Sequence, residues 1–305
     1  MVLRRYFPFL VSFLLSIFLS WFAITQKDGF SLSLIQNPLV AENLSDPEED
    51  FSLFAKILSQ PFVYLGKGRQ TFVFESADGS VVLKFFNQKY FQYPWYVKGA
   101  EAIPFLQPWM EKEKAKRNLR KEFYLNSYRI ARSELKEDSG ILFAHFGTQK
   151  NHLPSIRLKD KGGMVHSIDL NGIPFVLQKK GIPFYQALDT AYASEGLTGL
   201  QRILDGFIDS VAGRIGKKIA DGDQDVEHNW GVVENRVFHL DPGRLYRNED
   251  LQAPEILKTE WERSTRCLNK WLKKRYPEAS TYLERNIEET LRAQIISVTP
   301  STSRP

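Results

Sequence analysis

The chain has 305 residues, of which 43% are hydrophobic and 25% charged, and it carries a formal net charge of +5. This composition is that of a globular protein with room for one large domain or two lobes. The densest basic run, EKEKAKRNLRKE, alternates with glutamates and predicts a solvated helix face, so we expect no nucleic-acid partner. The single cysteine, Cys267, excludes intrachain disulfides and disfavours a structural zinc site.

The N-terminal residues 1–26 predict a membrane anchor. Two arginines are followed by about twenty apolar or small residues without a charge, which is enough to span a bilayer. A cleaved signal peptide is the alternative, but no A-x-A sequence precedes a cleavage point, which favours an uncleaved anchor. Because Arg4 and Arg5 precede the span, we expect a single-pass protein with its N-terminus inside and its bulk outside the cytoplasm.

Residues 27–55 predict a linker, because they mix Ser, Asn, Pro and acidic residues without a period. Residues 56–180 predict a small lobe. Three short β-branched and aromatic runs, PFVYLGKG, TFVFES and SVVLKFF, are separated by turn sequences that include Asp78-Gly79, and together they predict an antiparallel meander. A long amphipathic helix and further strands follow it.

Residues 181–293 predict a mostly helical large lobe with a short strand pair around VENR, and residues 294–305 predict a disordered tail. Strands with one inserted helix, followed mainly by helices, are typical of an α+β protein with two lobes.

Gly66 and Gly68, in LGKGRQTFVF, are the first candidates for a binding site. Glycines let a hairpin backbone approach phosphate oxygens closely, although ordinary turn glycines are the simpler interpretation. A strand follows this loop, which excludes a dinucleotide-binding Rossmann loop. Lys84 lies in an apolar strand and must reach either solvent or an anion. Glu122, on the long helix, is a candidate to orient Lys84, or else an exposed partner of a neighbouring basic residue.

The segment ADGDQDVEHNWGVVENRVFHLDPGR, residues 220–244, concentrates acidic side chains around two apolar runs. Carboxylates crowded in a turn repel one another unless a cation lies among them. Asp223 or Asp225 is therefore a candidate catalytic base, and Asn229 and Asp241 are candidate oxygen ligands of Mg²⁺. The alternative interpretation is a polar turn that caps the preceding helix.

The order of these features, over residues 61–245, is the order that phosphoryl transfer uses. The sequence here resembles the protein-kinase-like superfamily, which includes small-molecule kinases such as aminoglycoside phosphotransferases. The arrangement D-G-D…N-W-G…D-P-G-R also resembles uncharacterised kinase-like membrane proteins of chlamydia-type bacteria. The resemblance implies ATP and Mg²⁺ as cofactors, bound by a two-lobed protein-kinase-like fold.

The resemblance also implies a role for each candidate residue. Gly66 and Gly68 match the glycine-rich loop, Val73 the valine that packs on adenine, Lys84 the phosphate lysine and Glu122 its partner. DGD is similar to the H-G-D of small-molecule kinases, with Asp223 as the base; Asn229 and Asp241 match the metal ligands. Five residues separate Asp223 from Asn229 where the family has four, and three follow Asp225, so the choice of base stays open.

Three functions follow as expectations. The first is a membrane-tethered phosphotransferase that moves the γ-phosphate of ATP to a hydroxyl of a small molecule, sugar or lipid head group, since the helical lobe is small for a protein substrate. The second is a pseudokinase, a scaffold that binds a protein partner without catalysis, which the altered Asp-to-Asn spacing favours. The third is a membrane-anchored structural protein without a nucleotide site.

Overall fold

The structure is a computed structural model and describes residues 6, 9–19, 28–36, 52–93, 97, 103–146 and 153–298. It confirms the predicted α+β class. The chain divides into two compact units. The first comprises Met1–Arg117 and His145–Gln178, and the second comprises Asn118–Ala144 and Lys179–Pro305.

The strands are short. They are β1 (Phe62–Lys67), β2 (Thr71–Ser76), β3 (Val81–Phe86), β4 (Ile141–His145), β5 (Ser155–Lys159), β6 (Val165–Asp169), β7 (Phe175–Lys179), β8 (Ile182–Pro183), β9 (Ile219–Asp221), β10 (Trp230–Val233), β11 (Arg236–His239) and β12 (Leu245–Arg247).

Helices dominate the C-terminal part. They are α1 (Ser52–Leu58), α2 (Gln88–Phe91), α3 (Gln107–Glu134), α4 (Lys136–Ser139), α5 (Phe184–Glu195), α6 (Leu197–Gly216), α7 (Val226–Asn229), α8 (Pro254–Arg275) and α9 (Pro277–Val298). Short 3-10 helices cover Leu32–Leu34, Pro104–Leu106 and Glu249–Gln252. The last helix includes residues 294–298, which the sequence assigns to a disordered tail, while residues 299–305 lie outside the described residues.

The predicted membrane anchor is wrong. Within the described part of the chain, no helix is long and apolar enough to cross a membrane. Residues 1–5, 7–8 and 20–26 of the predicted anchor lie outside the described residues. The single-pass topology, with the N-terminus inside and the bulk outside the cytoplasm, falls with the anchor.

The first unit contains six neighbouring strands of one sheet, in the order β7-β3-β2-β1-β5-β6. The predicted meander is confirmed, because β1, β2 and β3 pair antiparallel, with Tyr64 opposite Phe74 and Val73 opposite Lys84. The turn between β2 and β3 is Asp78-Gly79, where Gly79 has a φ of +70° and the Asp78 carboxylate accepts from the backbone N–H of Ser80. The sequence predicts an antiparallel small lobe, and this prediction is wrong for one pair of strands, because β1 and β5 run parallel.

One face of this sheet is covered by residues 28–36, which belong to the predicted linker. Phe30 and Ile35 are buried there, and the Phe30 ring contacts the rings of Tyr64, Phe72 and Phe74 edge-on or tilted. Aromatic side chains of this size remove much apolar surface from water. The segment is therefore part of the folded unit.

The second unit has its core between α5, α6, α8 and α9 and the strands β10 and β11. Apolar residues recur on one face of α6 at helical spacing, which is why that face is buried. Phe207 lies at the centre of this core, fully buried, with its ring 5.3 Å from that of Phe184 and 4.8 Å from that of Trp230.

We expect Phe207→Ala to lower the free energy of unfolding by about 3–5 kcal/mol, because it removes a buried ring and leaves a cavity. The measurement is chemical denaturation followed by circular dichroism. Ile296→Ala, at a side chain that is 75% exposed, is the control and is expected to stay within about 0.5 kcal/mol of the wild type. Equal losses of unfolding free energy in the two variants would contradict the placement of Phe207 in the core of the second unit.

Candidate functional site

The acidic segment lies wholly in the second unit. Its two ends are brought together because β9 pairs antiparallel with β12, with Asp221 opposite Leu245. Between these strands the chain forms the one-turn helix α7 and the hairpin β10–β11. The turn of that hairpin is Glu234-Asn235, both with positive φ, which matches the twist of a two-residue hairpin.

Asn229 connects the two halves of the candidate site. Its side-chain amide Nδ2 donates to the backbone carbonyl of Asp223 at 2.9 Å. Its own carbonyl accepts from the backbone N–H groups of Leu240 and Asp241, at 2.6 and 3.1 Å. Asn229 is buried, and its Oδ1 has no hydrogen-bond partner among the described residues. Asn229 and Asp241 are thus neighbours through the backbone, and their role as metal ligands stays a prediction.

Asp241 is held from the helix α3. Its Oδ1 accepts from the Tyr128 hydroxyl at 3.3 Å. Tyr128 is buried, and burial together with the Asp241 charge raises the pKa of its hydroxyl well above the usual value. Ser127, one residue earlier, donates to the carbonyl of Pro242 and accepts from the N–H of Leu245. Gly243 lets this turn pack closely on α3, since a Cβ there would lie 3.1 Å from the Tyr124 ring and the ring would have to shift.

The two candidate bases have different surroundings. Asp225 is the N-cap of α7: its carboxylate accepts from the backbone N–H of His228 and lies 2.9 Å from His228 Nδ1. The Asp223 carboxylate takes no part in capping, is about half-exposed, and has Oδ2 3.7 Å from Nε of Arg244. A carboxylate engaged in capping has fewer free lone pairs, and the choice of base between Asp223 and Asp225 stays a prediction.

A buried ionic network connects α8 and α6 to the loop at residues 221–225. Glu260 on α8 accepts from Arg214 Nη1 at 2.7 Å and from the backbone N–H of Asp221 at 3.1 Å. The side-chain amide of Gln224 donates to the other Glu260 oxygen at 3.3 Å. Glu260 and Arg214 are both nearly inaccessible to solvent, so their charges depend on each other for stabilisation.

Asp221 lies at the top of this network and is itself buried. Its Oδ1 accepts from the backbone N–H of Asp223 at 2.8 Å, and its Oδ2 lies 3.5 Å from Nε2 of His239. Burial raises the pKa of Asp221 to about 6, although the nearby Arg214 charge acts in the opposite direction. Asp221 holds the backbone of the candidate base and is too enclosed to meet a substrate.

The remaining predicted residues lie as follows. Gly66, Gly68, Val73 and Lys84 belong to the first unit. The N–H of Gly68 donates to the carbonyl of Thr71 at 2.9 Å, and Lys84 is 9% exposed in the centre of β3. Glu122 belongs to the second unit, where it is exposed on α3. The roles of these five residues in binding a nucleotide stay predictions.

The described residues offer no ready-made protein cage for a metal. Among the described residues, no group of three or more His, Cys, Asp or Glu side chains could hold a metal ion. Mg²⁺ commonly takes only one or two protein oxygens and completes its shell with substrate phosphates and waters. The Asn229 Oδ1 and the Asp241 carboxylate fit that donor set.

Four residues with clear roles were not singled out as candidates in the sequence: Ser127, Tyr128, Arg214 and Glu260. Ser127 and Tyr128 come from a helix more than a hundred residues upstream of Asp241, and no local sequence signal points to them. Glu260 gives a signal of its own, as a carboxylate on the apolar face of α8.

Comparisons with known proteins do not assign the chain to a family. No protein-family model and no curated protein matches it. Among solved structures, the complex of Rv3197 with erythromycin from Mycobacterium tuberculosis is similar at 13% identity with a TM-score of 0.33, covering 82% of this chain and 68% of that one. A similarity this low transfers neither a function nor a ligand to the chain.

We expect Glu260→Gln to cost about 3–5 kcal/mol of stability, because Arg214 would then be a buried cation without its counter-charge. Urea denaturation measures the loss. Glu262→Gln is a matched control on the same helix at an exposed position, and its unfolding curve is expected to overlay that of the wild type. A wild-type-like curve for Glu260→Gln would show that the network does not support the loop.

We also expect Asp221 to make stability pH-dependent. Its pKa is about 6 in the folded chain against an ordinary 3.8, so between these pH values the unfolded chain releases a proton that the folded chain retains. The contribution of the Asp221 carboxyl to the free energy of unfolding is therefore complete below pH 3.8 and is lost as the pH rises towards 6. The total loss is about 3 kcal/mol, from a shift of roughly two units.

Asp221→Asn removes the titrating group and keeps an acceptor oxygen for the N–H of Asp223. The difference in unfolding free energy between the variant and the wild type is expected to grow in favour of the variant as the pH rises from about 4 to about 6. Denaturant titrations at several pH values measure it. Parallel pH profiles of the two proteins would contradict the raised pKa.

Proposed function

We propose that the chain is an ATP- and Mg²⁺-dependent phosphotransferase of protein-kinase-like fold, acting on a hydroxyl of a small molecule, sugar or lipid head group. The observation that carries the proposal is the position of Asn229, whose side chain binds the backbone of Asp223 while its carbonyl binds the N–H of Asp241. One residue thus links a candidate base to a candidate metal ligand, and phosphoryl transfer to an acceptor uses both groups close to the transferred phosphate.

Two oxygens supply the metal side of the proposed site. Asn229 Oδ1 is a neutral ligand and the Asp241 carboxylate a charged one, and together they would hold Mg²⁺ with the nucleotide phosphates. The bound metal ion would neutralise the charge of the transferring phosphoryl group. Tyr128 donates to Asp241 Oδ1, which fixes the direction of that carboxylate and leaves Oδ2 for the metal.

Asp223 is the proposed base. Its backbone is fixed twice, by the Asp221 carboxylate at its N–H and by Asn229 Nδ2 at its carbonyl. Its side chain is about half-exposed and accessible to an acceptor hydroxyl. In the proposed reaction the hydroxyl oxygen forms the new bond to phosphorus, its proton passes to Asp223, and ADP leaves with the bridging oxygen.

The turn end of the β1–β2 hairpin, which contains Gly66 and Gly68 and is called the glycine hairpin below, supports the nucleotide part of the proposal. Gly66 has no positive φ, and a Cβ built on it would meet no atom of the described residues within 4 Å. The conformation and packing of the described residues therefore do not require glycine at this position. Close approach of the backbone to a ligand is a remaining physical reason for a glycine there.

A second candidate is a nucleotide-binding module without phosphotransfer that acts through a protein partner. The observation in its favour is Arg244, whose Nε lies 3.7 Å from the Asp223 carboxylate. A guanidinium at this distance restricts the approach of an acceptor hydroxyl to that carboxylate oxygen. The five-residue spacing from Asp223 to Asn229 favours the same alternative.

We expect calorimetric titration of the full chain with ATP to show binding that requires Mg²⁺. Asp241→Asn is expected to weaken the Mg²⁺-dependent part by about tenfold or more, because a carboxylate ligand is replaced by a neutral one. Asp209→Asn, an exposed position on α6, is the matched control and is expected to bind as the wild type does.

The outcomes separate the candidates. No binding of ATP by a chain shown to be folded would overturn both nucleotide functions. Binding without ADP formation in the presence of hydroxyl acceptors would favour the non-catalytic module. Acceptor-dependent ADP formation would support the phosphotransferase.

A further inference from the structure

A short segment holds the strand that leads into the glycine hairpin. We call residues 28–36 the strap. Its first residue, Asp28, contacts three side chains of the first unit: its carbonyl accepts from Lys67 Nζ at 2.5 Å, its Oδ1 from Lys161 Nζ at 2.9 Å, and its Oδ2 from the Tyr64 hydroxyl at 3.2 Å. Every polar oxygen of Asp28 is therefore in use.

The strap is anchored by burial as well as by charge. Phe30 is 5% exposed, with its ring centroid 5.2 Å from those of Phe72 and Phe74, which lie on β2. Ile35, at the other end, is 1% exposed. Two fully buried apolar side chains in nine residues give the strap its own hydrophobic contribution to docking.

The turn that starts the strap has a backbone of restricted geometry. Asp28 has a φ of +51° and Gly29 a φ of +70°. A left-handed conformation is unfavourable for most side chains, although Asp and Asn tolerate it better than others. Such a turn persists where surrounding contacts hold it, and the three hydrogen bonds to Asp28 supply that hold.

The charges around Asp28 strengthen these contacts. The hydrogen bond from Lys161 lowers the pKa of Asp28, and burial together with the Asp28 charge raises the pKa of Tyr64. Both directions keep Asp28 ionised and Tyr64 protonated, so the hydrogen bond from Tyr64 to Asp28 is charge-assisted.

The contacts fall on both sides of one glycine. Tyr64 and Lys67 flank Gly66 on β1, and the register of β1 against β2 shifts between Tyr64 and Gly66. The irregularity interrupts the ladder locally, and pairing resumes with Gly66 opposite Val73 and Lys67 opposite Phe72. The strap adds side-chain restraints on both sides of this irregularity, at Tyr64, two residues before Gly66, and at Lys67, the residue after it.

We propose that the strap is a positioning element that fixes the glycine hairpin in the shape that binds the phosphates of ATP. The part that concerns ATP rests on the proposed function. A hairpin that is already ordered loses less conformational entropy on binding, so the strap raises nucleotide affinity without touching the nucleotide. Asp28 is the principal positioning residue.

The first experiment measures hydrogen exchange of the hairpin in the full chain. Asp28→Gly removes the carboxylate and leaves a residue that tolerates the same positive φ. We expect exchange at the amides of residues 66–72 to become roughly tenfold faster, with the second unit unchanged. The N–H of Gly68, bonded to the carbonyl of Thr71, is the most direct reporter.

Two further variants separate positioning from general destabilisation. Asp28→Asn keeps acceptor capacity without the charge and is expected to give an intermediate rate. Asp78→Asn is the matched control: Asp78 is also an acceptor for several groups of the first unit, including Ser76, Ser80 and Gln60, but does not contact the strap. If Asp28→Gly does not fold, Phe30→Leu loosens the strap from its apolar side.

The second experiment measures ATP affinity in the same variants. Asp28→Gly is expected to weaken ATP binding about tenfold, while Asp78→Asn binds as the wild type does. Unchanged exchange of the hairpin amides in Asp28→Gly would overturn the inference. Faster exchange in a chain whose wild type does not bind ATP would keep the strap as a positioning element and reject the proposed function.

Discussion

A buried carboxylate, Glu260, is the constraint on which the candidate site depends. A charge removed from water must be paired and hydrogen-bonded, and Glu260 meets this requirement with Arg214, the N–H of Asp221 and the amide of Gln224. Because two of these groups belong to the acidic segment, satisfying Glu260 fixes the backbone from which Asp223 projects. The loop thus takes its shape from the helix beneath it.

The parts of the fold that depend on local sequence could be predicted. The meander β1–β3 follows from short runs of β-branched and aromatic residues and from the Asp78-Gly79 turn, which are all close together in the sequence. The parallel pairing of β1 with β5 could not, because the two strands are about ninety residues apart and no turn sequence connects them.

The candidate site divides in the same way. Residue types in the acidic segment indicated Asp223, Asp225, Asn229 and Asp241, but spacing alone could not choose between the two aspartates. Helix capping distinguishes them, because the Asp225 carboxylate caps α7 by accepting from the N–H of His228. The sequence D-V-E-H already contains this capping signal. Tyr128 and Ser127 were beyond reach, because their contacts with Asp241, Pro242 and Leu245 join distant parts of the chain.

The double attachment of Asn229 has a consequence for mutagenesis. A substitution there removes one oxygen from the proposed metal shell and at the same time releases the carbonyl of Asp223, so two thermodynamic effects come from one change. Energies measured for Asn229 and Asp223 variants will not add, because each disturbs the environment of the other. The free-energy contribution of a metal ligand can be measured separately from that of the base at Asp241, because its side chain does not contact Asp223 among the described residues.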